Sequence, residues 1–516
     1  MQEPTSARLG GGDVGLGQLL DIVMRGAADW APANQAAFEA LFGSGDGRYP
    51  AAAKETVTLR PAAAANESGV AYAGYIHPSN PTNGPYGGMS IAIFPATDAP
   101  CLITFVVGTA GLHPDDEILG RPGHARKVQA LCGWLNAAHG RGRQVAWAKQ
   151  DPTRTDENVP ATVISHFEPY KRVFDRYGKV LYGIYAPGDD AQLTMEALKA
   201  FFDLMFAERG VKLLQPLRAE AENIKNAWLH HLMPDLSEDD VVALLAARRF
   251  VIVEGPPGTG KTRLARRLLT GQYDGRGRSI QFHPNTTYEN FVGGLAPTRT
   301  SEGIGLSFAP QPGFLMRAAQ AARDNPTLPY LLHIDEINRA DLAKVLGEAI
   351  YLLEPDDERD DAGVRSIELP YDFGVPLETH LTLPDNLHIL GTMNTADRSL
   401  AAVDVAVRRR FAFAKLWPQA RVIDAQGDPL MKRAFDDLVM IFVEHARGDA
   451  FDLVPGHSYF LVKPPMDPAA QLNVTLAPLL REYLSQGYVG GFSEPIRAYL
   501  QRLESRPRAA DYNGSD

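Results

Sequence analysis

The sequence predicts an α/β protein: a mostly parallel sheet with helices on both faces, built around a phosphate-binding loop and closed by a small helical lid. A separate mixed α/β domain stands in front of it. Three observations carry this expectation. Gly255-Pro256-Pro257-Gly258-Thr259-Gly260-Lys261-Thr262 lies between an apolar run, FVIVE, and a helix-patterned one, TRLARRLLT. Beyond it, short apolar runs alternate with helix-patterned stretches, as crossover connections between parallel strands require. At 516 residues the chain also exceeds what a single core usually organises.

The bulk numbers set the class. The chain is 45% hydrophobic and 22% charged, ordinary for a soluble protein. Its 51 basic and 62 acidic residues leave a net charge of −11, which argues against a surface that coats nucleic acid or membrane throughout, although a local basic face stays open. The two cysteines, Cys101 and Cys132, sit in apolar surroundings and exclude a disulfide framework. The first fifteen residues hold no apolar stretch of the signal-peptide kind, and no run approaches the roughly 20 apolar residues that a membrane span needs. The expectation is a cytoplasmic protein without a membrane partner.

In order along the chain, 1–15 and 505–516 are polar and Gly-rich or charged, and are expected to fray. Residues 16–213 read as a mixed α/β domain, with strands at 89–95, 101–109 and 180–186 and helices at 124–138 and 194–209. The second of these helices places Leu198, Phe201, Phe202, Met205 and Phe206 on one face. Residues 214–237 read as a connector. The nucleotide-binding part spans 238–418, opening on a helix at 238–248 and a strand at 250–253, and 419–504 reads as the helical lid.

The chemistry begins at the glycine-rich loop. Its glycines let backbone N–H groups approach phosphates, and the following helix adds the positive end of its dipole. Lys261 can reach the β- and γ-phosphates, and Thr262 can ligate Mg²⁺. The run YLLHIDEIN ends in Asp335-Glu336, at the carboxyl edge of a parallel strand, where ligands bind in such sheets. Asp335 is the natural metal partner, and Glu336 is placed to orient the attacking water. A further strand, NLHILGTMN, ends in Asn394, beside which a γ-phosphate and its water would lie. Arg398 follows, and then Arg408, Arg409 and Arg410 in a row. A basic triplet can be merely a solvated helix end. After a polar residue of this kind, the favoured reading is an arginine offered to a neighbouring subunit's nucleotide.

These strings resemble the AAA+ family and, within it, the McrB-like NTPases that serve as motor subunits of modification-dependent restriction systems. The resemblance covers about 240–465 and rests on GPPGTGKT, QFHPNTTYENFVGGLAP, IDEINRADLAKVLGEAIYLLE, GTMNTADRSL, DVAVRRRF and GHSYF. It implies that Asn394 is the first sensor and that Arg408–Arg410 include a trans-acting finger, with Arg398 a second candidate. It places an insert at 284–312 within the second helix. It further implies Mg²⁺-dependent hydrolysis in a ring, expected to be a hexamer, and a separately encoded McrC-like nuclease as partner. ATP is favoured on its prevalence in the class, with GTP open, because the motifs touch only phosphate and metal. A MoxR-like protein-remodelling ATPase is the alternative. Residues 355–383 read as an exposed hairpin or loop, His333 as a satisfied core histidine, and His457 equally as a nucleotide contact or as packing.

For 16–213 the resemblance implies a target reader by position alone. One local feature supports it. Between Leu119 and Lys149 there are six basic residues and no acidic one. Arg121, Arg126, Lys127, Arg141 and Arg143, with Trp134 among them, could form a phosphate track with a stacking platform for DNA. A helix with a solvated basic face and core tryptophans explains the same pattern.

Overall fold

A computed structural model describes residues 13–43, 46–62, 69–140, 142–299, 306–354, 365–375, 378–396 and 404–504. Arg141, Arg398 and the tail 505–516 lie outside these, as does the amino-terminal segment up to residue 12. The chain divides into two compact units, 1–234 with 443–447, and 235–442 with 448–516.

The first unit is built on a six-stranded antiparallel sheet. Its strands are β1 (Thr58–Ala62), β2 (Tyr72–Ile76), β3 (Met89–Phe94), β4 (Leu102–Val107), β5 (Ala146–Ala148) and β6 (Leu181–Tyr185), in the order β1-β2-β3-β4-β6-β5. MSIAIF and LITFVV form the central pair and are buried along their whole length. Continuous apolar text instead of alternation is what two covered faces demand. The helices Val14–Arg25, Pro122–Ala138 and Ala191–Glu208 supply one core, in which Phe105, Phe201, Phe202 and Phe206 are buried. The shorter helices Ala161–Ile164 and Lys171–Tyr177 supply a smaller core on other residues of the same strands. Helix Arg218–Leu229 falls where the sequence suggested a connector, and it buries Trp228 in the larger core. Cys101 and Cys132 are buried thiols pushed up to about 12 by burial, which makes them unreactive.

The second unit carries a five-stranded, wholly parallel sheet in the order β15-β7-β14-β11-β8. These are β7 (Phe250–Gly255), β8 (Gly277–Gln281), β11 (Tyr330–Asp335), β14 (Leu387–Asn394) and β15 (Ala412–Lys415). Helix Glu238–Arg248 opens on a capping box between Ser237 and Asp240. The insert at 284–312 is a short helix, Tyr288–Phe291, and a hairpin of β9 (Gly293–Arg299) with β10 (Leu306–Pro312), ahead of helix Phe314–Arg323. Residues 341–354 do not form one helix. Gly347 takes a φ of +50°, so an α-helical turn at Leu342–Leu346 passes into a 3-10 helix at Gly347–Leu353. A minor pair, β12 (Ile367–Glu368) with β13 (His380–Leu381), lies in the region read as a hairpin or loop. Beyond Lys415 the chain is helical, with Pro468–Ser485 and Ser493–Glu504 the last long segments.

Candidate nucleotide site

Parallel strands bring their carboxyl ends to one edge, and β7, β14 and β11 are neighbours. Asn394 pairs in register with Gly255, and Ile334 with Gly391, so the loop after β7 and the residues ending β14 and β11 converge. Gly258 and Gly260 hold φ of +82° and +86°, values that a side chain would strain. This turn delivers the chain to helix Lys261–Thr270. The buried Lys261 ammonium donates to the carbonyls of Gly255 (2.9 Å) and Pro256 (2.8 Å), so it is poised directly beneath the loop.

Beside it, the Thr262 hydroxyl lies 3.2 Å from both oxygens of Asp335. Asp335 also accepts from Thr392 Oγ1 at 2.5 Å. With its O–H donated to the carboxylate, the Thr392 oxygen accepts from His333 Nε2 at 3.3 Å, which leaves Nδ1 to accept from Ser279 Oγ at 2.7 Å. Burial pushes His333 down to about 4, so the ring is neutral at ordinary pH. A row of polar groups thus runs through the sheet from Ser279 on β8 to Thr262. Sequence reasoning saw in His333 a satisfied core residue, which it is, but missed that it steadies Asp335 through Thr392. Glu336 occupies left-handed backbone (φ 52°, ψ 47°), unusual for a residue with a side chain. Its carboxylate accepts from Asn394 Nδ2 at 2.8 Å and lies 3.4 Å from Arg339 Nε. Asn394 therefore reaches Glu336 directly.

The 456–460 segment closes over the loop. The Gly456 N–H donates to Pro257 O (2.9 Å) and that of Ser458 to Gly258 O (3.0 Å). Next to this contact is a cavity of about 330 Å³ lined by Ser237, Gly260, Arg263, Leu416 and His457 among others. The Gln419 N–H donates to His457 Nδ1 at 3.2 Å, so the ring proton belongs on Nε2. Burial pushes His457 down to about 4, and the ring is a neutral donor at the cavity wall.

A family profile, AAA domain (dynein-related subfamily), matches residues 250–411. The EcoKMcrB subunit of a type IV methyl-directed restriction enzyme, from Escherichia coli (strain K12), is 31% identical over 358 residues, which are 63% of this chain and 75% of the relative. The chain belongs to the McrB family of AAA proteins. YdiS, a component of the type II restriction enzyme BsuMI of Bacillus subtilis (strain 168), is 27% identical over 199 residues, 32% of this chain and 56% of its own.

In this McrB-family chain the three consecutive arginines separate by burial. Arg410 is nearly enclosed, its side chain 13% exposed, and pairs with the buried Glu354. Arg409 approaches Glu354 at 3.2 Å but is 61% exposed. Arg408 is exposed with its guanidinium 5.2 Å over the Phe413 ring.

Among the described residues, the basic stretch at 119–149 does not form the track that the sequence suggested. Lys127 is buried, and both it and Arg121 lie 2.9 Å from the buried Glu208 carboxylate. Arg126 and Trp134 are half-buried, the latter packed against the larger core. The buried Lys149 ammonium donates to three backbone carbonyls. Arg143 is exposed. Lys127 and Lys149 are thus internal, and Glu208, on another helix, pairs with Arg121 and Lys127.

Proposed function

We propose that this chain hydrolyses ATP or GTP with Mg²⁺ in a ring, expected to be a hexamer, and that cleavage drives a separately encoded McrC-like nuclease in a DNA restriction system. One observation supports hydrolysis above the others: Thr262 and Asp335 lie 3.2 Å apart, and the next residue, Glu336, is held by Asn394 at 2.8 Å. A hydroxyl beside a carboxylate is the hard oxygen donor set that suits Mg²⁺. Bound there, the metal would neutralise charge on the phosphate oxygens. Lys261 would exchange its two carbonyl partners for phosphate oxygens, and the loop amides would hold the β-phosphate. Glu336 would take the proton of the attacking water while Asn394 fixes its orientation. His457 would offer its Nε2 proton to the nucleotide from the adjoining cavity.

The exposure of Arg408 and Arg409 favours these two over Arg410 as the group offered to a neighbour's γ-phosphate. The relatives named for restriction enzymes support the assignment to such a system. DNA met by the amino-terminal unit belongs to the same reading. The test is Glu336→Gln. Nucleotide binding should stay within about 2-fold while hydrolysis falls at least 100-fold, in the range expected for a removed general base. Unchanged turnover would sink the mechanism.

A further inference from the structure

Glu354 ends the 3-10 helix Gly347–Leu353, whose Leu352 and Leu353 are buried in the core of the parallel-sheet unit, and its own side chain is only 8% exposed. A carboxylate held that far from water needs a cation beside it. Glu354 has two. Arg410 Nη2 donates to Oε1, while Arg409 Nη2 lies 3.3 Å from Oε1 and 3.2 Å from Oε2. Both arginines come from the six-residue helix Val405–Arg410, capped by the Asp404 side chain, which accepts from Ala406 N at 3.1 Å. Val407 and the following Phe411 are buried in the same core and pin the helix down. Arg410 also donates from Nη1 to Ala406 O at 2.8 Å, so its guanidinium is tied on two sides. Val405, Arg408 and Arg409, three and four residues apart, share the exposed face.

One negative charge between two positive ones leaves a cation in surplus, and burial says which. Pulling Arg410 away would strand a carboxylate where water does not reach it, among the costlier losses a protein can suffer. Pulling Arg409 away breaks an ion pair whose cation is 61% exposed, a weak kind of contact, and leaves Glu354 still neutralised by Arg410. Arg409 is therefore the separable partner and Arg410 the fixed one. Arg408 stands outside this arrangement, with its guanidinium over the Phe413 ring.

We propose that Glu354 is a positioning residue that holds Arg409 in reserve: the arginine rests on Glu354 until a γ-phosphate held by a neighbouring subunit competes for it, and then crosses to that phosphate while Arg410 keeps Glu354 neutralised. A guanidinium fork matches phosphate oxygens, and a terminal phosphate carries more charge than a carboxylate already shared with a second arginine. A nucleoside diphosphate offers no such group at that place, so Arg409 returns to Glu354 after cleavage. The proposal rests on the reading that an arginine of this triplet serves a neighbour's nucleotide, and it selects Arg409 from the two exposed ones.

The test measures hydrolysis of ATP and of GTP by the full chain at saturating protein and Mg²⁺. Glu354→Gln keeps the shape and an acceptor for Arg410 but deletes the charge that holds Arg409. Its kcat should rise about 2- to 5-fold with KM unchanged, the factor that corresponds to an exposed ion pair. In a chain carrying Arg409→Ala, which is itself slower, the same substitution should change nothing. If Glu354→Gln alone does not fold, pairing it with Arg410→Met removes both halves of the enclosed pair and strands neither, and the same rise is expected. A kcat that falls or stays level in the folded variants overturns the reserve role, as does an equal rise with and without Arg409; slow hydrolysis by Arg409→Ala then leaves the trans arginine standing. Full activity of Arg409→Ala removes that arginine from the reaction and the proposal with it.

Discussion

Replacing Thr392 by valine tests the polar row behind the metal-ligand pair. Valine matches threonine in shape, and the position is 1% exposed, so the change deletes a hydroxyl without opening space. Two bonds go with it: the 2.5 Å donation to Asp335 and the 3.3 Å acceptance from His333. A hydrogen bond to a charged group contributes roughly 1.5–3 kcal/mol, and stranding a buried N–H costs about 1–3 kcal/mol. The variant should therefore lose on the order of 3 kcal/mol of stability, read as a fall in Tm. Asp335 should also lose its fixed orientation, and groups that orient metal ligands typically change metal affinity or activity about 10–100-fold. The Mg²⁺ concentration giving half-maximal hydrolysis is the second readout, and Thr392→Ser should return both values towards wild type. A Thr392→Val protein with an unaltered Mg²⁺ curve and an unaltered Tm would refute the role given to the row.

Other outcomes follow from the same geometry. Gly456→Ala would place a Cβ about 2.1 Å from the Gly258 carbonyl carbon, so nucleotide affinity should fall at least 10-fold by calorimetry while circular dichroism stays native. Arg410→Ala strips the buried Glu354 of its more enclosed partner and should cost about 3 kcal/mol of stability. Arg409→Ala should leave Tm within a degree or two and lower only hydrolysis by assembled protein, restored when mixed with subunits that supply the arginine but carry Glu336→Gln. His333 and His457 have folded pKa values of about 4, below the ordinary 6.5 of the unfolded chain, so their contribution is complete above pH 6.5 and is lost as pH falls towards 4. At pH 5 this amounts to about 2 kcal/mol for each ring, and a denaturation midpoint that stays level from pH 7 to 5 would contradict it.

What was legible in the sequence was local. The phosphate loop announces itself because strand, turn and helix are contiguous, and Asp335, Glu336 and Asn394 because each ends an apolar run. Asp335 and Thr392, by contrast, come together through the register of β11 on β14, and Ser279 reaches His333 through the register of β8 on β11. No spacing along one segment encodes that. The basic run misled for the same reason: the acids that neutralise Arg121 and Lys127 are Glu208, some 80 residues further on, and Glu444, further still. The three arginines look equivalent as text, and only their place against Glu354 tells them apart.

The two contacts between 456–458 and the phosphate loop are made entirely by main-chain atoms. Apart from the demand for glycine at 258 and at 456, the side chains on either segment can change without cutting them. The link between lid and loop is thus written into the path of the chain more than into its chemistry, and mutational drift would alter what the lid recognises long before it uncoupled the lid from the phosphates.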